Sequence, residues 1–147
     1  MDLRARLNSI ADGLHRISVK ALIFNAENRV LLCQEKEGWW NFPGGGLVHG
    51  ESPESALKRE LLEELAISEK DKIDINPHVE FIAFGISSKN IPKANLFYKT
   101  KISTTNITPT KKIPATKWIT PGDVPNLTWA PGLGNPQTLA ANLQKLI

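Results

Sequence analysis

The chain has 147 residues and a formal net charge of +3, with 41 % hydrophobic and 22 % charged residues. These values are ordinary for a globular protein, and we predict a single domain over residues 1–147. No apolar run reaches the roughly 18 residues of a membrane span, and the N-terminus lacks a signal-peptide core. Both features favour a cytoplasmic protein without a membrane partner. The dispersed charge argues against dedicated nucleic-acid binding.

Residues 1–16 predict an amphipathic helix, because apolar residues recur there at helical spacing. The stripe consists of Leu3, Leu7, Ile10 and Leu14. It can pack on the domain itself or on a second subunit, and the second option would make the protein a homodimer.

Two apolar runs, Ile17–Phe24 and Arg29–Gln34, flank a turn and predict a pair of strands. Cys33, the only cysteine, lies in the second run. This excludes an internal disulfide and predicts a buried apolar side chain rather than a catalytic thiol. A short extended piece, Trp39–Phe42, leads into the glycine-rich run 43–46, which we predict to be a bend that approaches a ligand.

A helix is predicted from Pro53 through Ile67, with Ser52 as its N-cap. Leucines at every fourth position form its buried stripe. An adjacent face carries three carboxylates at spacing i, i+3, i+4, those of Glu60, Glu63 and Glu64. A hard divalent cation would offset their mutual repulsion. The alternative is a solvated acidic helix face.

Further strands are predicted at Val79–Ser87, Ala94–Ile102 and Lys117–Thr120, and Asn135-Pro136 begins a last helix. Strands interrupted by helices indicate the α/β class, as a sandwich around a mixed β-sheet.

The segment from Gly45 to Ile67 reads GGLVHGESPESALKRELLEELAI. Its spacing of glycine, glutamate and the REXXEE-type helix resembles the signature box of the Nudix hydrolases. The resemblance covers the box at residues 45–67 and implies the Nudix-type α/β/α sandwich. It also implies a metal-dependent enzyme that cuts a diphosphate linked to another group X.

The resemblance implies that Glu60, Glu63 and Glu64 bind Mg²⁺, or Mn²⁺ as a substitute, with support from Gly45 and Glu51. The catalytic residues that it implies are Glu60, as the base, together with Arg59 and Glu63. The segment Trp40–Gly45 also resembles MutT-type nucleotide phosphohydrolases. The predicted substrate-binding residues are Gly44, Gly46, Asn41, Trp40 and His49. For each tryptophan the alternative is core packing.

The sequence departs from the family pattern at two places. Ala66 stands where the family has glycine, and we expect the helix to continue through it. Many members carry a further acid ahead of a downstream tryptophan, but the run before Trp118 has none. Glu80 and Asp123 are the nearest substitutes along the chain.

Seven lysines and no acid occur between Glu80 and Asp123. They form either a cationic wall for a polyphosphate or a solvated set that protects sheet edges.

The sequence therefore predicts a Mg²⁺-dependent pyrophosphohydrolase of a nucleoside triphosphate or another nucleoside diphosphate linked to X, acting by attack of activated water at phosphorus. The alternatives are a nucleotide-sugar hydrolase, a non-catalytic nucleotide-binding module of the same fold, and a diphosphate isomerase that would need a reactive Cys33.

Overall fold

The computed structural model describes residues 2, 5, 14–104 and 106–147. The helix predicted over 1–16 lies mostly outside these residues. Within them, no helix has the length and apolar character needed to cross a membrane.

The described chain forms seven strands and two α-helices. The strands are β1 (Arg16–Ile23), β2 (Val30–Gln34), β3 (Trp40–Asn41), β4 (Gly44–Gly46), β5 (Asp74–Ile86), β6 (Pro92–Lys101) and β7 (Thr116–Ile119). The helices are α1 (Pro53–Leu65) and α2 (Pro136–Gln144), and two 3₁₀ turns lie at Glu69–Asp71 and Pro121–Asn126.

The strands form two sheets, a four-stranded one in the order β4-β1-β6-β5 and a three-stranded one in the order β3-β2-β7. Strands β1 and β6 pair in parallel, and the other pairs are antiparallel. The predicted mixed α/β class is therefore confirmed.

Strand β1 separates two cores because its side chains alternate between the two sheet faces. Val19 and Ala21 pack with the buried leucines of α1, whereas Leu22 packs with Phe97 and with Leu139 of α2. Helix α1 thus covers one face of the four-stranded sheet and α2 covers the other. This is the predicted sandwich.

The expectation that the helix continues through Ala66 is wrong. Helix α1 ends at Leu65, and Ala66 adopts a left-handed conformation with φ 54°. The amides of Ala66 and Ile67 then donate to the Leu62 and Leu61 carbonyls, at 3.1 and 3.2 Å. This turn buries Ile67, which is 2 % exposed. Core packing overrides the helix propensity of alanine.

The glycine run is a strand rather than a bend. Gly44, Gly45 and Gly46 pair antiparallel with Lys20, Val19 and Ser18. Gly44 has φ +138°, and a Cβ there would collide with the Val19 carbonyl oxygen. Only glycine therefore permits this close pairing of β4 with β1.

Strand β5 begins at Asp74, five residues before the predicted start at Val79. Its ladder with β6 shifts register between Ile75 and Val79. The irregularity accommodates Pro77, which has no N–H to donate and which made this stretch resemble a loop.

Candidate active site

Helix α1 is fixed at its start and along its buried face, and this fixes the position of its carboxylates. Ser52 Oγ accepts a hydrogen bond from the Ser55 amide at 3.1 Å. Leu57, Leu61 and Leu65 are buried against the sheet. The acidic residues next to this stripe consequently lie beside the short edge strand β4.

Arg59 holds two of the predicted site glutamates. Its Nε and Nη2 donate to the two Glu51 carboxylate oxygens at 2.8 and 2.9 Å, and its Nη1 donates to Glu60 Oε1 at 2.8 Å. Nη2 also reaches the Gly46 carbonyl at 3.3 Å. The hydrogen bonds from Arg59, together with one from the Val48 amide, lower the pKa of Glu51 to about 2. The planar guanidinium therefore fixes both carboxylates and the strand.

The Glu60 carboxylate packs directly against Gly45. A Cβ at position 45 would fall 2.6 Å from Glu60 Oε1 and 2.8 Å from its carboxyl carbon. Glycine at this position thus leaves the space that the carboxylate fills.

Glu64 lies deeper and is tied to the same strand. Its Oε1 accepts a hydrogen bond from the Gly44 amide at 2.8 Å. Burial raises the pKa of Glu64 to about 7, because desolvation disfavours the charged form more than the amide favours it. Glu51, Glu60 and Glu64 therefore occupy three distinct environments.

Lys20 is a site residue that the sequence reasoning missed. It pairs with Gly44 and is 3 % exposed. Burial lowers the pKa of the Lys20 ammonium, and the nearby charges of Glu64, Glu35 and Glu60 oppose that shift. The available signal was the alternation of Ser18 and Lys20 with apolar residues along the predicted strand Ile17–Phe24.

Glu63 faces a lysine on the segment where the family carries an acid. Lys112 Nζ lies 3.3 Å from Glu63 Oε2, and Arg59 Nη1 lies 3.7 Å from the same oxygen. Thr110 fixes this loop on α1, since its Oγ1 donates to the Glu63 carbonyl at 2.7 Å and its amide to the Glu64 carbonyl at 2.9 Å.

The two substitute acids, Glu80 and Asp123, lie on elements other than α1 and β4. Asp123 caps a 3₁₀ turn, accepting hydrogen bonds from the Thr120 amide at 2.8 Å and from its Oγ1 at 3.1 Å. Glu80 lies on β5, three strands away from β4 in the sheet order. That separation corresponds to about 14 Å of sheet.

The chemistry of these side chains suits a hard divalent cation, which prefers oxygen ligands. Within the described part of the chain, however, no three acidic, histidine or cysteine side chains already converge on one point. Arg59 holds the Glu60 carboxylate, and the Gly44 amide holds that of Glu64. The oxygen donors are therefore present, but protein groups already hydrogen-bond those of Glu60 and Glu64.

The predicted substrate-binding residues lie in different settings. Asn41 is buried: its Oδ1 accepts from the Phe42 amide at 2.8 Å, and its Nδ2 donates to Glu35 at 3.2 Å. Trp40 packs against the second core with Lys117 Nζ 5.7 Å from its ring centroid. His49 is exposed in the loop before α1.

Two further side chains serve the core. Trp129 stacks on Phe42 with ring centroids 5.6 Å apart, and its Nε1 donates to the Val124 carbonyl at 3.0 Å. Cys33 is 1 % exposed, and burial raises the pKa of its thiol. A neutral buried thiol does not suit the isomerase alternative.

Comparison with known proteins agrees with this geometry. The family model described as the NUDIX domain matches residues 14–137. The RNA pyrophosphohydrolase of Proteus mirabilis is 43 % identical over 63 residues, which cover 42 % of this chain and 36 % of that protein. The chain thus matches about a third of the length of this curated relative.

Solved structures share the fold. The MutT protein of Methanosarcina mazei superposes with a TM-score of 0.71 at 17 % identity, covering 92 % of this chain and 95 % of that one. An ADP-ribose pyrophosphatase of Streptococcus suis gives a TM-score of 0.67 at 19 % identity, covering 90 % and 92 %. The predicted resemblance is confirmed, and the chain belongs to the NUDIX domain family.

Proposed function

We propose that the protein is a Mg²⁺-dependent pyrophosphohydrolase that cuts a nucleoside triphosphate or another nucleoside diphosphate linked to X. The observation that carries the proposal is the arrangement of Arg59, which holds Glu51 and Glu60 while Gly45 leaves room for the Glu60 carboxylate. Such an arrangement fixes acidic groups beside a backbone edge that a phosphate can approach closely.

In this proposal, Glu60, Glu63 and Glu64 hold the cation, with support from Glu51 and the Gly45 backbone. When bound, Mg²⁺ supplies charge neutralisation at the phosphoryl oxygens and makes water a better nucleophile. To hold the cation, Glu60 would have to turn away from Arg59, and the two hydrogen bonds from Arg59 to Glu51 would keep the guanidinium in place.

Side chains of the protein then accept the proton from water and stabilise the leaving phosphate. Water adds to one phosphorus, the bridging P–O bond breaks, and Glu60 accepts the proton that water loses. Lys112 and Arg59 lie beside Glu63 and offset negative charge on the departing phosphate. Gly44 and Gly46 give the phosphates access to the strand, and we assign contact with X to Trp40, Asn41 and His49.

The experiment that tests this is a phosphate-release screen with Mg²⁺ or Mn²⁺ over nucleoside triphosphates, sugar nucleotides and dinucleotides. Each nucleoside triphosphate reaction runs with and without inorganic pyrophosphatase. The sugar nucleotides and dinucleotides run with and without alkaline phosphatase, which releases phosphate from their monophosphate products. We expect signal from a triphosphate only when pyrophosphatase is present, because the product is pyrophosphate. Hydrolysis of a sugar nucleotide alone would favour that alternative. Saturable nucleotide binding without any hydrolysis would overturn the proposal and favour the binding module.

A second candidate substrate is the 5′-triphosphate end of RNA. It is favoured by the relative named RNA pyrophosphohydrolase, which is 43 % identical over the matched 63 residues. Positive charge is dispersed along the sequence and the net charge is only +3, so we expect such activity to act on the terminal nucleotides. A short 5′-triphosphorylated RNA in the same screen, compared with the free triphosphate by kcat/KM, separates the two substrates.

A further inference from the structure

A cavity of about 250 Å³ opens beside the start of β1, next to the proposed active site. We call it the Arg16 pocket. Its lining includes Arg16, Ser18, Gly46, Ser87, Lys89 and Lys93. Three of the eight lining residues are cationic, and none is acidic.

The sheet explains why the cations meet there. Strands β1 and β6 are parallel, and Arg16 and Ser18 pair with Lys93 and Asn95 in register. Register partners point to the same side of a sheet, so the basic side chains of both strands share one face. The pKa of Lys93 is lowered by burial and by the positive charges of Lys20 and Arg16.

These cations lack counter-ions of their own. Among the residues that the structure describes, neither Arg16 nor Lys93 takes part in a salt bridge, whereas Arg59 contacts Glu51, Glu60 and Glu63. Arg16 is exposed and Lys93 is half-buried, so water screens part of their repulsion. Like charges that are register partners on one face still repel, and an anion between them would relieve that repulsion.

An unpartnered polar group points to the same conclusion. Ser18 is 0 % exposed, and its Oγ has no hydrogen-bond partner among the described residues. Buried hydroxyls are almost always hydrogen-bonded, so an orphan in a polar cavity needs a ligand or water to complete it. A hydroxyl can donate to an anionic oxygen.

Gly46 connects the pocket with the proposed catalytic groups. A Cβ on Gly46 would fall 2.8 Å from Arg16 Nη2, so the guanidinium packs against this glycine. The Gly46 carbonyl accepts from Arg59 Nη2 at 3.3 Å. One strand residue is therefore shared by Arg16 and by the arginine that positions the carboxylates.

From these observations we infer that the Arg16 pocket binds a phosphate group of the substrate beyond the bond that is cut. The inference rests on the proposed function and deepens it, because it selects substrates with an anionic end over those whose X is an uncharged sugar. An uncharged sugar would leave Arg16 and Lys93 unpaired. Guanidinium and ammonium groups around a hydroxyl donor match phosphate oxygens.

Binding can be tested without turnover. Isothermal titration of inorganic phosphate into the full chain, in chelator, compares the wild type with Arg16→Gln/Lys93→Gln. The control Arg29→Gln/Lys101→Gln removes the same charges away from the pocket. We expect the pocket variant to weaken phosphate binding at least about tenfold, as for loss of charged hydrogen bonds, and the control to change it less than about twofold.

Ser18→Ala gives a second, independent reading. Removing an unsatisfied buried hydroxyl is expected to raise Tm in phosphate-free buffer, while the increase in Tm on adding phosphate becomes smaller. If Ser18 had a purely structural role, its removal would not change the increase in Tm that phosphate causes. An unchanged phosphate effect in Ser18→Ala and in the pocket variant would overturn the inference.

Kinetics separate this inference from the proposed function. With Mg²⁺, Arg16→Gln/Lys93→Gln should raise KM for a nucleoside triphosphate about tenfold, with kcat within about twofold, and leave KM for a sugar nucleotide unchanged. A short 5′-triphosphorylated RNA in a parallel arm shows whether the phosphate belongs to a free nucleotide or to an RNA end. Normal hydrolysis by Arg16→Gln/Lys93→Gln with an unchanged KM would overturn the inference about the Arg16 pocket and leave the proposed function intact. If the pocket variant loses phosphate binding but the wild type hydrolyses no substrate, the proposed function is overturned and the inference about the Arg16 pocket is not.

Discussion

Gly45 and Gly46 are neighbours in one strand, yet their surroundings have opposite charge. A Cβ on Gly45 would meet the Glu60 carboxylate, and a Cβ on Gly46 would meet the Arg16 guanidinium. On the carboxylate side, Arg59 and the Gly44 amide hold Glu60 and Glu64 by hydrogen bonds. On the guanidinium side, no described acid forms a salt bridge with Arg16 or Lys93. In our two proposals, the first side binds a metal cation and the second binds an anion.

The largest expected effect comes from removing one carboxylate charge on the acidic side. Glu63→Gln should lower kcat by more than about 100-fold, because loss of a metal ligand exceeds the 10–100-fold effects of outer-shell changes. The matched control is Glu54→Gln on the same helix, because Glu54 is exposed and pairs with Lys58 at 3.0 Å. Steady-state rates and circular dichroism measure both variants. Full activity in Glu63→Gln would contradict the assignment.

The two glycines test the comparison directly. Gly45→Ala displaces the Glu60 carboxylate and should lower kcat by about 10–100-fold, as expected for a misplacement of about 1 Å. Gly46→Ala displaces Arg16 and should mainly raise KM for a triphosphate. In both cases the nearest atoms belong to the far ends of flexible side chains, so we expect both proteins to fold. Identical effects of the two substitutions on kcat and KM would refute the division into two sides.

A smaller effect concerns stability of the metal-free protein. Because burial raises the pKa of Glu64 to about 7, the folded state resists its ionisation. Between the unfolded value near 4.5 and the folded value, the folded state binds more protons, so stability falls as pH rises through this window. Glu64→Gln should remove this decline, worth up to about 3 kcal/mol, in chelator. Urea unfolding at pH 5 and pH 8 measures the free energy of unfolding of the wild type and of Glu64→Gln. An equal fall in that free energy in both proteins would contradict the account.

The smallest effect lies at the end of α1. Ala66→Gly should stabilise the protein by about 0.5–1 kcal/mol, because glycine adopts the left-handed conformation at φ 54° without the cost that alanine carries. The control Ala140→Gly, within the right-handed α2, should destabilise by about 1 kcal/mol. Thermal unfolding compares them. A loss of stability in Ala66→Gly would show that the cap is not strained.

The acidic half of this comparison could be predicted from sequence, because its residues lie within one helix at fixed spacing. The end of that helix could not, since burial of Ile67 outweighs the local preference of Ala66. In the basic half, Lys89 and Lys93 belong to the seven lysines for which a cationic wall was one of two predictions, but Arg16 was missed. Arg16 and Lys93 are 77 residues apart in the numbering, and only the parallel pairing of β1 with β6 brings them together. Long-range pairing of this kind leaves no local periodicity.

The family identity was predicted from the box and is confirmed by the match over residues 14–137. The predicted roles of the individual residues, the homodimer and the substrate stay predictions. Of the two predictions made for each tryptophan, Trp129 follows core packing, since it stacks on Phe42.

The central claim is that the α1 carboxylates act through a divalent cation. The most direct measurement is hydrolysis of a nucleoside triphosphate by the wild-type chain in excess chelator, and again after Mg²⁺ is restored. The account predicts no hydrolysis in chelator, followed by release of the nucleoside monophosphate and pyrophosphate once Mg²⁺ returns. Hydrolysis at the full rate in chelator would contradict it.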